Sequence, residues 1–354
     1  MNERGVNRQW LLRRHPVGRL AASDLQFHQG QIPALAEGQL LIRVLLVAMD
    51  PAIRAFLSPR PGYRPAVEPG APVTGMVLGE VVASRCPGRL IGELVSGFGS
   101  WSDHVVGSGA QFVPVPLELG QGPSGDLAAY THVLGSSGLT AHHGLTVVGA
   151  LATDDSVLVS AAAGAVGSLA GQMARILGAK RVVGIAGGPD KCRLATSRYG
   201  YDACIDYQAV ADLGAAVRAA LPEGADLCFE NVGGAPLQAA LDVLRPGARI
   251  VLCGMISQYD ADGPVPGPPN LWNLIVHGAR MQGFRIAGLL NDRSRSREVL
   301  GLIDQWLRAG RLHYDIDLRD GFEQIPQAFA ALSTGQHRGR LVVRINTAQA
   351  ASAC

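Results

Sequence analysis

Val157-Leu-Val-Ser160-Ala-Ala-Ala-Gly164-Ala-Val-Gly167-Ser168 begins as a short apolar run rich in β-branched residues and breaks into small ones. It continues as Leu169-Ala-Gly-Gln-Met173-Ala-Arg-Ile-Leu177-Gly178. The run predicts a buried parallel strand, and the continuation an amphipathic helix closed by glycine. Strand, tight turn and helix open a βαβ unit, and glycines at that turn let a pyrophosphate approach the backbone at the helix N-terminus. The spacing is Ala161-x-x-Gly164-x-x-Gly167, with alanine where the common dinucleotide fingerprint has its first glycine.

The setting strengthens this reading. Arg181-Val-Val-Gly-Ile-Ala186 follows as a second parallel strand after only Ala179-Lys180. Beyond it the patterns predict a helix over 191–198, a strand over 203–207 and a helix over 209–221, then strands over 226–230, 249–254 and 281–286. Parallel strands joined by right-handed crossovers form a doubly wound sheet whose ligands sit at the carboxyl ends of the strands.

The end of the second strand decides which dinucleotide fits. A site for the unphosphorylated cofactor usually places Asp or Glu there to hold the ribose 2′-hydroxyl. Here the strand runs into Ala186-Gly187-Gly188-Pro189-Asp190-Lys191. Two glycines leave room, and Lys191 brings a positive charge close by, which together suit a 2′-phosphate and hence NADPH. Asp190 could instead hold the ribose, but Pro189-Asp190 also suits the first turn of a helix, where acids complement the dipole, and that reading is preferred.

At 354 residues the chain exceeds one ordinary core, and a net charge of +2 gives no signal for nucleic acid. No run of about 18 apolar residues marks a membrane span. Arg4, Arg8, Arg13, Arg14 and Arg19 crowd the N-terminus, but Gln9-Trp-Leu-Leu-Arg13 reads as a first strand rather than an amphipathic targeting helix, so a cytoplasmic location is expected. The six cysteines are scattered, with no Cys-x-x-Cys pair, and His142-His143 lack a third ligand nearby, so metal-free chemistry is expected. Up to about Tyr130 the texture changes: β-like runs over 40–47, 76–83, 94–98 and 103–106 are separated by Pro and Gly clusters, predicting a β-rich barrel-type domain. A helix over 322–329 and a strand over 339–345 would rejoin that domain, and the proline-rich 261–269 segment could wall the cleft.

Taken together, the segments resemble the zinc-independent medium-chain dehydrogenases/reductases, specifically the alkenal double-bond reductases, over nearly the whole chain. The resemblance rests on Met49-Asp50-Pro51-Ala52-Ile53-Arg54, Leu134-Gly135 with Gly138-Leu139-Thr140-Ala141, the 161–167 turn, Gly187-Gly188-Pro189-Asp190-Lys191-Cys192 and Ile205-Asp206-Tyr207. It rests also on Glu230-Asn231-Val232-Gly233-Gly234, Cys253-Gly254-Met255-Ile256-Ser257-Gln258-Tyr259 and Met281-Gln282-Gly283-Phe284. It implies a Rossmann domain over 131–311 inserted in a GroES-like β-rich catalytic domain over 1–130 with 312–354, and a homodimer. It implies that Lys191 and Tyr207 hold the 2′-phosphate beside Gly187, and that Ala163, Gly164, Val166 and Gly167 form the pyrophosphate turn. Asn231 and Val232 would then lie along the cofactor near the nicotinamide, with Tyr259 above the ring as the catalytic residue. The implied reaction reduces the C=C bond of α,β-unsaturated aldehydes and ketones: hydride reaches the β-carbon, the enolate oxygen is stabilised, and the α-carbon is protonated. A tyrosine hydroxyl suits this because it donates a hydrogen bond and stays neutral at pH 7.

Departures from the family pattern bear on the substrate. Ala52 stands where many relatives have tyrosine, Ser136-Ser137 replaces Met-Pro, His142 stands where tyrosine is common, and His337 replaces an asparagine that often reaches the cofactor. Ala52, Tyr63 and Ser136 are the candidate pocket residues. Two alternatives stay open at this point, an NADPH:quinone oxidoreductase of the same fold and a non-catalytic NADPH-binding protein.

Overall fold

The computed structural model describes residues 5–60, 62, 64–120 and 126–346. The chain folds as two compact units, Met1–Leu117 with Ile316–Cys354, and Glu118–Asp315. The boundaries expected at 130/131 and 311/312 both lie within the second unit. The segment after Glu118 is tied there by its own hydrogen bonds: the Gly120 amide donates to buried Asp304 at 2.7 Å, and the Tyr130 hydroxyl donates to the Leu119 carbonyl.

The first unit opens with β1 (Val6–Leu12) and β2 (Leu25–Gln31), an antiparallel ribbon. β3 (Gln39–Ala48), β4 (Thr74–Ser84), β5 (Leu94–Ser100), β6 (His104–Ser108) and β7 (Phe112–Pro114) follow, pairing antiparallel as β3-β4-β5-β7 with β6 on β3. Alternation along β5 is clean, one residue buried and the next half-buried, as expected when one face of an antiparallel sheet covers a core.

The second unit holds β8 (Ser156–Ser160), β9 (Arg181–Ala186), β10 (Ala203–Asp206), β11 (Ala225–Glu230), β12 (Leu244–Leu252) and β13 (Arg280–Gly283). All pair parallel, in the order β10-β9-β8-β11-β12-β13. Every residue of β8 is buried, because helices cover both faces of a central parallel strand. Leu158, Val183, Ile185, Leu237, Leu241 and Ile250 share one core cluster on this sheet. Each such side chain stabilises the unit by about 1.5–3 kcal/mol through removal from water.

The helix Pro189–Ser197 starts at the proline, as the first-turn reading of Pro189-Asp190 requires, and exposed Asp190 pairs with Arg193 rather than standing free. The helix expected from 209 begins later, at Leu213–Ala220, because Asp212 caps it through the Ala215 amide at 2.9 Å. The strand expected over 281–286 is shorter, and two helices, Gly234–Leu241 and Arg293–Arg308, were not anticipated. The chain then returns through β14 (Ile316–Asp320) and β15 (Arg340–Arg344), which extend the first sheet beyond β3 with Ile325–Thr334 helical between them.

Candidate cofactor site

Strand order reverses between β8 and β11, so their carboxyl ends mark the crevice where a doubly wound sheet receives its ligand. Three turns gather on this edge of the second unit.

The first follows β8. Ala161 adopts φ 51°, the left-handed conformation for which the fingerprint normally supplies glycine. Its carbonyl accepts the Gly164 amide at 2.8 Å. A Cβ on Gly167 would lie 2.2 Å from that same carbonyl oxygen, and one on Gly164 would lie 3.1 Å from it. Gly167 is thus required by the fold of the turn itself, while Ala163, Gly164 and Val166 lie on the turn that leads into the helix Gly167–Ile176. The Ser168 and Leu169 amides donate to the Gly164 and Val166 carbonyls at 3.0 and 3.1 Å, and the positive end of the helix dipole at this turn suits an anion. Behind the turn, buried Tyr201 donates to the Gly167 carbonyl at 2.7 Å, and its ring fills a slot that side chains on Gly171 or Gly184 would obstruct.

The second turn follows β9. Gly188 has φ 89° and caps the next helix, which an L side chain would rarely permit. The Asp206 carboxylate at the end of β10 holds this turn, accepting the Gly188 amide at 2.8 Å and the Gln208 amide at 3.0 Å. The sequence reading gave Asp206 no role; a carboxylate closing a strand beside a glycine pair was the available signal. The Tyr207 ring lies against Gly187, its hydroxyl 3.1 Å from where a Cβ would stand. Lys191 is half-buried, and burial lowers its ammonium below the ordinary lysine value with no acid set against it. Among the described residues it has no ion pair. A desolvated cation without a counter-charge is a cost that a bound phosphate would offset. The residues therefore fit the 2′-phosphate of NADPH.

The third turn follows β11 and is built around a buried carboxylate. Glu230 Oε1 accepts the Val232 amide at 2.6 Å, the Gly233 amide at 2.7 Å and the Ser160 hydroxyl of β8 at 2.9 Å. Ser160 Oγ in turn accepts the Asn231 amide at 2.8 Å, and the Asn231 side chain donates to the Ser160 carbonyl at 2.8 Å. Burial pushes the Glu230 carboxyl up to about 6, against the opposing pull of the Gly233 and Val232 amides and the Ser160 hydroxyl. The next turn is fastened to this one: the Ile256 amide donates to the Asn231 carbonyl at 3.2 Å, and the Ser257 amide to the Val232 carbonyl at 2.9 Å. Tyr259 follows, half-buried, its hydroxyl accepting the Met255 amide at 3.4 Å. Asn231, Val232 and Tyr259 are thus brought together in one assembly. The pairing of Ser160 with Glu230 was not read from the sequence, although a charged residue ending an apolar strand signals a polar partner.

The remaining candidates sit elsewhere. Ser136 begins the helix Ser136–His143 of the second unit. Ala52 and His337 belong to the first unit, where Ala52 is half-buried against the core cluster. Tyr63 lies outside the described residues. Asp50 and Arg54 of the 50–54 motif make structural bonds. Asp50 takes buried Arg340 in two bonds of 2.5 and 2.9 Å, and buried Arg54 donates to the Pro16 and Gly18 carbonyls and to Ser58 Oγ. The His142 ring lies tilted by 37° against Trp306, centroid to centroid 6.1 Å, and burial lowers its imidazolium below the ordinary value. Among the described residues, no three His, Cys, Asp or Glu side chains gather as metal ligands.

Residues 8–115 match a family model described as the N-terminal domain of oxidoreductase, and residues 165–305 one described as zinc-binding dehydrogenase. The chain is 35% identical to the NADPH-dependent curcumin reductase of Escherichia coli strain K12, over 96% of this chain and 97% of that protein. It is 34% identical to the NADP(+)-dependent 2-alkenal reductase of Nicotiana tabacum, over 98% and 99%. Among solved structures, CurA from Vibrio vulnificus in complex with NADPH is similar at a TM-score of 0.87 and 35% identity, over 96% of this chain and 99% of that one. Sheet order, turn geometry and these likenesses along the whole chain agree: it belongs to the zinc-independent medium-chain dehydrogenases/reductases, the family that includes the curcumin and 2-alkenal reductases.

Proposed function

We propose that this protein is an NADPH-dependent reductase of the C=C bond of α,β-unsaturated aldehydes and ketones. The observation that carries the reading is Lys191, half-buried in the first turn of the helix that follows Gly187-Gly188 and, among the described residues, without an ion pair. The relatives named above are reductases whose names carry NADPH, curcumin and 2-alkenal.

Bound NADPH supplies a hydride, delivered to the β-carbon of the substrate. The chain's own residues hold, orient and stabilise. Lys191 and Tyr207 take the 2′-phosphate, with Gly187 leaving it room. Ala163, Gly164, Val166 and Gly167 admit the pyrophosphate. Asn231 and Val232 flank the nicotinamide end. In this reading the Tyr259 hydroxyl would donate to the substrate carbonyl as enolate charge develops, leaving water or the same hydroxyl to protonate the α-carbon.

The same reading makes the protein a cytoplasmic homodimer acting on small molecules, with neither nucleic acid nor membrane as partner. Trp272, Ile275 and Val276 are exposed on the helix Trp272–Val276, close in sequence to β13, which among the described residues pairs only with β12. Edge-to-edge pairing with a second copy would cover them.

The test is NADPH absorbance with a panel of enals, enones, quinones and prostaglandin-like ketones. Turnover of enals and enones to saturated carbonyls is expected. Turnover of quinones alone would reassign the enzyme, and no oxidation of NADPH with any of them would refute the reading.

A further inference from the structure

The Glu230–Ser160 pair has a geometry that the proposed reaction does not itself use. Among the described residues the three donors to Glu230, the Val232 and Gly233 amides and the Ser160 hydroxyl, converge on one oxygen, Oε1. Two of them are backbone amides of the turn that flanks the nicotinamide end in the reading above. The third is the last residue of β8, on the far side of the gap where strand order reverses. Ser160 Oγ also receives the Asn231 amide, so one hydroxyl joins the carboxylate to a third amide of the same turn. We propose that Glu230 is a positioning residue for the cofactor: through Ser160 it clamps the 231–233 turn across the switch point, and the strength of that clamp sets how tightly NADPH is held. The inference rests on the proposed cofactor.

Hydrogen bonds to an ionised acceptor are roughly twice as strong as neutral ones, so the clamp is strongest when Glu230 is charged. Among the described residues no base faces this carboxyl: the groups that act on it or feel its charge are the three donors and the thiols of Cys228 on β11 and Cys253 beyond β12. Burial raises both thiols, Cys253 to about 12, so neither changes charge between pH 5 and 8. With its carboxyl near 6, Glu230 loses its charge as pH falls below that value, and the clamp weakens in the same direction. Glu230→Gln is the matching probe. Its carbonyl keeps the Oε1 acceptor and its amide replaces the protonated oxygen, so it resembles the neutral acid and cannot ionise.

The test titrates NADPH into the wild type, Glu230→Gln and Ser160→Ala between pH 5 and 8, following cofactor fluorescence, with thermal unfolding of each protein beside it. The 2′-phosphate itself has a second ionisation near pH 6, so the quantity read is the difference between the proteins. The account expects Glu230→Gln to bind NADPH about tenfold more weakly than wild type at pH 8, the two converging towards pH 5, while both remain folded. Ser160→Ala should weaken binding severalfold, and the double variant no more than the weaker single one. Equal affinity of wild type and Glu230→Gln at pH 8, or a constant ratio across the whole range, would overturn the proposal. Wild type that fails to bind NADPH at any pH would instead overturn the reading of the cofactor.

Discussion

At the turn after β8 the backbone alone sets the shape: Ala161 sits in the left-handed region, and Gly167 approaches its carbonyl too closely for any side chain. At the turn after β11 a buried side chain sets the shape, with the Glu230 carboxylate gathering two amides and a serine hydroxyl from the neighbouring strand. Both turns lie at the same edge of one sheet. The first is a rigid frame with no titrating part, suited to a phosphate whose charge hardly varies. The second hangs on a buried carboxyl that is pushed up to about 6 and can lose its charge.

Four substitutions test this contrast. Gly167→Ala should do most harm, since a Cβ 2.2 Å from the Ala161 oxygen forces the backbone apart. The expected loss is about 3 kcal/mol, the upper part of the overpacking range, read by denaturant unfolding. A variant as stable as wild type would mean that the turn is not a rigid frame. Tyr259→Phe probes the other end. It should lower kcat roughly 10- to 1000-fold while NADPH affinity changes little, because one oxyanion donor or general acid is worth about 10²-fold or more. Unchanged kcat would leave Tyr259 as packing. Lys191→Ala should raise the NADPH Kd about 10- to 100-fold, the effect of a charge-assisted bond worth about 1.5–3 kcal/mol. NADH binding should hardly move, and equal losses with both cofactors would remove Lys191 from the phosphate site. Ala161→Gly should have the smallest effect, a gain of up to about 1 kcal/mol as relief of the left-handed strain outweighs the added freedom of the unfolded chain. Destabilisation would show that Ala161 is not strained.

These effects also mark what the sequence discloses. The frame was legible because a close backbone approach leaves glycines at fixed spacing, and because buried parallel strands read as unbroken apolar runs such as 157–159 and 182–185. The turn after β9 stood out by contrast, two glycines and then Lys191 in a stretch that usually carries a carboxylate for the ribose. The clamp was not, since Ser160 and Glu230 are 70 residues apart and meet only through the pairing of β8 with β11. Asp206 escaped notice in the same way, its bond to Gly188 depending on the register of β10 against β9. The helix Gly234–Leu241 was hidden because glycine pairs and proline ordinarily favour turns, whereas here Gly233 caps the helix and Gly234 and Pro236 lie in its first turn. The Asp50–Arg54 motif shows the converse: a recognisable pattern spent on tying Arg340 and the 16–18 loop into the first unit.

The most direct test of the central claim follows the hydride. A simple enone would be reduced with NADPH carrying deuterium at both C4 positions, and the product examined by NMR. The account predicts a saturated ketone with one deuterium on the β-carbon and a solvent proton on the α-carbon. Deuterium on the former carbonyl carbon of an allylic alcohol, or a saturated product without deuterium, would contradict it.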